Sequence, residues 1–178
     1  MTGMGRWRFV VAVLAGFGVG CAPVGGFGGP PGAADFDPGT RFIHPGTLPG
    51  IEGFTHAVKV GPTIYISGQV ALDSTGRLVG PGDLRAQARQ AFANLAFVLQ
   101  IAGARPADVV KLTLYVVNYR PEDLAIIREA GAEFFPERNP PAGIVVGVQS
   151  LPKEGLLIAV DGIAQTRGMF QPRVREPR

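Results

Sequence analysis

Apolar residues return along this chain at two different periods, and the change from one to the other divides it into elements. Ala57–Val60 (AVKV) and Thr63–Gln69 (TIYISGQ) are short β-branched and apolar runs on either side of Gly61-Pro62, which predicts a hairpin. A turn-rich stretch follows, punctuated by Gly76, Gly80, Pro81 and Gly82. From Leu84 the period lengthens. Leu84, Ala88, Ala91, Phe92, Leu95, Leu99 and Ala102 recur every three or four residues, forming one face of an amphipathic helix with Asp83 as N-cap and Gly103 at its C-terminal end. Val109–Val117 (VVKLTLYVV) returns to alternation and sets Lys111, Thr113 and Tyr115 on one face of a strand. Pro121 opens a second helix, in which Glu122 and Asp123 complement the dipole. Leu124, Ile127 and Phe134 form its buried side, and Pro136 stops it. Two apolar strands, Ile144–Ser150 and Leu156–Ala164, complete the pattern.

The resulting order is β-β-α-β-α-β-β, an α+β domain over residues 51–166 with its helices on one face of a sheet. No further helix is available for the other face, so a partner subunit is expected to cover it. Residues 22–50 are rich in Gly and Pro and read as a linker. Residues 167–178 (RGMFQPRVREPR) read as a basic, solvated tail.

Composition changes this picture little. With 178 residues, 46% of them apolar, the chain can bury a core without disulfides, and its net charge of +3 is small. No nucleic-acid partner is expected, because the basic tail lacks interleaved aromatics or a binding motif. The N-terminus adds more. Arg6 and Arg8 precede FVVAVLAGFGV, an apolar run of signal-peptide length, which closes on Gly18-Val19-Gly20-Cys21. Residues 1–21 therefore resemble a bacterial lipoprotein signal with Cys21 as the lipidated residue, although the usual aliphatic residue three places earlier is Gly18. Export with a lipid anchor is the expectation. A cytoplasmic protein follows if the segment is not a working signal.

Residues 54–165 resemble the Rid family of reactive-intermediate deaminases (YjgF-type, also called L-PSP endoribonuclease-like). The likeness rests on AVKVGPTIYISGQVALD, QARQAFANLAFVLQIAGA, DVVKLTLYV, EFFPERNPPA, and LP followed by a final IAQ, all in order. It implies a chorismate-mutase-like fold with a mixed sheet, a homotrimer with pockets between subunits, and hydrolysis of enamines and imines to 2-oxo acids and ammonia. It implies no metal and no organic cofactor. It also implies an arginine after the Pro-Ala that opens the 144–150 strand, where a planar guanidinium would grip a substrate carboxylate.

That position is Gly143 here, and the next, usually a small hydroxyl or thiol residue, is Ile144. Phe54 stands where the family carries a pocket tyrosine, and Arg128 where it carries an asparagine. Asp161 keeps the carboxylate of the last strand, credited in the family with positioning water, and is the candidate catalytic residue. Ser67 and Gly68 are retained, with local backbone roles as the plainer reading. Arg128 either replaces the missing cation or pairs with Glu129, Glu133 or Glu122 on its own helix. His56 is a proton-transfer candidate without a visible orienting partner.

Two functions follow from different classes. One is an imine deaminase of altered specificity, because losing the clamp should weaken turnover of ordinary 2-imino acids. The other is a non-catalytic trimeric protein that binds a small, less charged metabolite. RNA cleavage lacks the paired acid and base it needs, and membrane contact is expected only through the anchor.

Overall fold

The computed structural model describes residues 39–132, 134 and 139–166. The expectations for the signal segment, Cys21, Glu133, the Pro136 stop and the basic tail lie outside them.

Six strands form one mixed sheet: β1 (Thr40–Ile43), β2 (Ala57–Val60), β3 (Thr63–Val70), β4 (Val109–Val117), β5 (Ala142–Val148) and β6 (Ile158–Gln165). Their spatial order is β1-β2-β3-β6-β4-β5, which leaves β1 and β5 at the edges. All neighbours are antiparallel except β4 and β5, whose parallel pairing requires the crossover made by α2 (Asp123–Ala132). The hairpin is as read: Val60 pairs with Thr63 across Gly61, whose φ of 55° suits a residue without a Cβ.

Helix α1 spans Leu84–Ala102. The Asp83 carboxylate accepts from the Ala86 amide at 3.1 Å, and Gly103 ends the helix in a left-handed conformation at φ 80°. Its apolar stripe packs Phe92, Leu95, Val98 and Leu99 on Ile64, Ile66, Leu112, Leu114, Val116, Ile158 and Val160, the sheet residues of one face. Two polar residues fall on that buried stripe. The Gln87 amide donates to the carbonyls of Gly80 (3.1 Å) and Gly155 (2.8 Å) and accepts from the Leu157 amide (2.8 Å). Asn94 donates to the carbonyls of Val70 (2.8 Å) and Leu72 (3.0 Å). Both side chains tie loops to the helix with satisfied hydrogen bonds, which is what makes their burial tolerable.

One boundary differs in kind. Thr40–Ile43 belongs to the stretch read as linker, yet it pairs with β2 and buries Ile43 to 2% exposure. Four residues between Gly/Pro-rich flanks are too few for periodicity to reveal; the open edge of β2 recruits them instead. The domain therefore starts earlier than residue 51, and the described order gains a strand at its front.

Among the described residues the sheet face away from the helices is covered only in part, where Tyr115 and Ala159 pack with Leu72, Leu78 and Leu151. Phe42, Val58, Tyr65, Ile163 and Lys111 lie in one row across five strands, with Phe42 50% and Tyr65 51% exposed.

Candidate functional site

On that open face β3 and β6 fall out of register between Ile66 and Gln69, so Ser67 and Gly68 form a bulge. The Ser67 hydroxyl donates to the Thr55 carbonyl at 2.6 Å, fulfilling the local backbone role. Gly68 is not required for lack of room, since a Cβ there would meet the Ala159 Cβ at an ordinary 3.6 Å. The bulge separates two depressions. One, of about 250 Å3, is lined by Phe54, Ser67, Gly68, His56 and Asn94. The Phe54 ring at its mouth is 71% exposed.

His56 is buried to 9% exposure and held from both sides. Its Nδ1 lies 3.1 Å from Gln69 Oε1, and its Nε2 lies 3.1 Å from the Leu48 carbonyl. The orienting partners that the sequence did not reveal are thus Gln69 and the chain just after β1. Both nitrogens face carbonyl oxygens, one of which accepts from the ring N–H of a neutral imidazole, so the ring is packed between the 48–56 loop and β3 with neither nitrogen turned to the cavity.

The second depression, of about 340 Å3, is lined by Ser67, Lys111, Thr113, Tyr115 and Asp161. Alternation along β4 sets the three middle residues on one face, as the sequence pattern predicts. Asp161 is half-buried in β6, beside Thr113 in the ladder, and its Oδ2 accepts from the Tyr115 hydroxyl at 3.2 Å. Burial first, and then the Asp161 charge and this hydrogen bond, push the Tyr115 phenol above its ordinary range. Tyr115 therefore stays protonated and donating. Asp161 Oδ1 has no hydrogen bond among the described residues.

The remaining site residues lie elsewhere. Gly143 pairs with Leu112 and looks to the helix side, where a cavity of about 760 Å3 separates β5 from α2 and also includes Arg128. Ile144 pairs with Thr113, points to the open face and is 56% exposed. Within one protomer Arg128 and Gly143 thus share a cavity that contains neither Ser67 nor Asp161. Among the described residues no group of three His, Cys, Asp or Glu side chains is placed to hold a metal ion.

The model of the family described as Endoribonuclease L-PSP matches residues 47–166. The chain belongs to this family, the Rid family. It is 38% identical over 104 residues to a 2-iminobutanoate/2-iminopropanoate deaminase of Dermatophagoides farinae, covering 58% of this chain and 78% of that one. Among solved structures it is similar to RidA from an Antarctic Psychrobacter, with 32% identity, a TM-score of 0.63, and coverage of 70% of this chain and 98% of the other. It is also similar to YyfB, a Rid protein of unknown function from Yersinia pestis, at 45% identity and a TM-score of 0.55, covering 71% of this chain and 98% of that one. Rid membership accounts for the α+β, chorismate-mutase-like arrangement of two helices on a mixed sheet.

Proposed function

We propose that this Rid protein hydrolyses 2-imino acids at a site completed between protomers, with a specificity shifted by Gly143. The Asp161–Tyr115 pair in its depression on the open sheet face is the observation that carries the reading. Hydrolysis of an imine needs a water aimed at the C=N carbon, a proton for the nitrogen, and nothing else. Water adds to carbon, its two protons pass in turn to the nitrogen, the first by way of Asp161, the C–N bond breaks, and a 2-oxo acid and ammonia leave. Asp161 Oδ1 is free to hold and deprotonate the water, while the neutral Tyr115 hydroxyl orients the carboxylate through Oδ2. The likeness to the 2-iminobutanoate/2-iminopropanoate deaminase of Dermatophagoides farinae supports the reaction class.

The arrangement of the sheet supports a shared site. If Arg128 supplies the cation that Gly143 lacks, the site has to be shared, because Asp161 and Arg128 line depressions on opposite faces of the sheet in one chain. A homotrimer in which the row of exposed Phe42 and Tyr65 and partly buried Val58 and Ile163 is covered by neighbours would remove that separation and bury an apolar face that is costly in water. Export with lipid attachment at Cys21 belongs to the same proposal, motivated by the charged-then-apolar order of residues 1–21. Loss of membrane attachment in Cys21→Ser checks that part.

The test of the reaction is ammonia release from freshly generated 2-imino acids by the purified protein. The wild type is expected to exceed spontaneous hydrolysis, and Asp161→Asn to lower kcat by about 100-fold with little change in KM. No acceleration by the wild type, or an unaffected variant, contradicts the reading.

A further inference from the structure

The charges of the domain are divided between the two ends of its strands. Thr40 pairs with Val60, Thr63 with Gln165, Val109 with Ala164 and Lys111 with Ala142, so the β2–β3 hairpin and the starts of β1, β4 and β5 share one end. The C-terminus of α1 joins them, because Lys59 Nζ donates to the Ala102 carbonyl at 3.0 Å. Arg41 stands directly opposite Lys59 in the ladder, and Arg105 follows the end of the helix. Asp108, 3.6 Å from Arg105, is the one carboxylate among the described residues of this end. Glu52, Asp73, Asp83, Glu122, Asp123 and Glu154 all belong to loops and helix starts at the other end, where Arg77, Arg85, Arg120 and Lys153 balance them only in part. Like charges directly opposite in a ladder repel, and an anion near Arg41 and Lys59 would relieve that cost.

The basic end also exposes aliphatic side chains: Val60 before the hairpin turn, Ile101 in the last turn of α1, and Val110 at the register break that opens β4. Both ends of the described fold lie here as well. The chain enters β1 at Thr40 and finishes β6 at Gln165, where the Thr166 amide donates to the Pro62 carbonyl at 2.9 Å. Beyond Thr166 the sequence adds Arg167, Arg173, Arg175 and Arg178 against Glu176, and ahead of β1 residues 22–38 lead back to Cys21.

We propose that this end of the domain docks on an anionic phospholipid surface. Headgroup charge neutralises Arg41, Lys59 and Arg105, while the tips of Val60, Ile101 and Val110 enter the interface. The aliphatic character of those side chains suits a bilayer, whereas a nucleic-acid strand calls for aromatic platforms among the cations. With the basic end down, the 48–56 loop and the depression it lines turn away from the membrane. The setting rests on the exported, Cys21-attached reading, in which the lipid holds the chain at the bilayer. The folded domain then decides which of its surfaces meets that bilayer.

Single-tryptophan probes in the full chain test it. Trp7→Phe removes the native tryptophan; Val110→Trp then reports the basic end and Ser150→Trp, also at an exposed position, the opposite one. Vesicles of phosphatidylcholine, or of phosphatidylcholine and phosphatidylglycerol in equal parts, carry a headgroup nitroxide that quenches tryptophan at the surface. Val110→Trp is expected to be quenched several-fold more than Ser150→Trp on the anionic vesicles and no more than it on phosphatidylcholine, with the difference fading as salt approaches about 1 M. Arg41→Gln with Arg105→Gln should raise the lipid concentration at half-quenching by about tenfold or more. Arg41→Lys with Arg105→Lys should leave it unchanged, since a lipid surface reads charge rather than the guanidinium fork. Thermal unfolding of each variant verifies that the fold is intact. Equal quenching at both ends, quenching indifferent to phosphatidylglycerol, or a stronger response of Val110→Trp to a single-stranded RNA than to the anionic vesicles overturns the proposal. Quenching specific to Val110→Trp, with membrane attachment in cells unaffected by Cys21→Ser, would sink the lipid anchor and leave the docking surface standing. Attachment lost in Cys21→Ser, with equal quenching at both ends, would do the reverse.

Discussion

Tyr115 and Asp161 place a phenol and a carboxylate side by side on a half-buried strand face, where the folded protein holds the phenol protonated. Because the folded state raises that ionisation above its unfolded value, the stabilisation is fully present below about pH 10 and is lost as pH rises through the folded value. Tyr115→Phe is therefore expected to flatten the alkaline decline in stability, read from denaturant midpoints measured between neutral and strongly alkaline pH. An unchanged decline would mean that burial and the Asp161 carboxylate do not hold the phenol protonated. Some of this was legible in the residues. Alternation along VVKLTLYVV sets Tyr115 with Lys111 and Thr113, and a carboxylate amid LLIAVDGIA signals a needed partner. The partnership itself crosses 46 positions in sequence and only the β4–β6 register brings the two together. His56 is a similar case: its partners at 48 and 69 come from the loop after β1 and from beyond the bulge, and no local pattern names them.

At the scale of elements, caps and periodicity are written locally in the chain. Asp83, Gly103, the hairpin at Gly61 and the full extent of β4 coincide with expectation because each is set by chemistry within a few residues. The ends set by distant pairing differ. β5 begins at Ala142 rather than Ile144, since its parallel partner β4 continues to Lys111 opposite it. β1 has no pattern of its own to read, because an edge pairing makes it a strand. Helix α1 offers two stability predictions of different origin. Asp83→Ala loses one cap hydrogen bond and should cost about 1 kcal/mol. Gln87→Leu leaves two carbonyls and an amide without their partner and should cost about 2–3 kcal/mol despite adding apolar surface. Urea unfolding of the two variants checks the order, and an equal or smaller loss for Gln87→Leu would contradict the stapling role.

At the scale of the molecule, the open sheet face carries both the apolar row and the Asp161 depression, so assembly and activity are expected to fail together. Light scattering should give three protomers for the wild type. Tyr65→Arg, exposed within a protomer, should dissociate the assembly without unfolding the chain. A wild-type monomer that still releases ammonia would refute the shared site. The most direct measurement is complementation. Chains carrying Asp161→Asn and chains carrying Arg128→Gln, each expected to be impaired alone, are co-expressed and the mixed assemblies assayed for ammonia release. If each site takes its carboxylate from one protomer and its guanidinium from the next, about one quarter of the sites in randomly mixed trimers regain both groups, and activity returns to that extent. If both groups serve one chain's own site, no mixture contains an intact one, and the activity stays at the level of the parent variants.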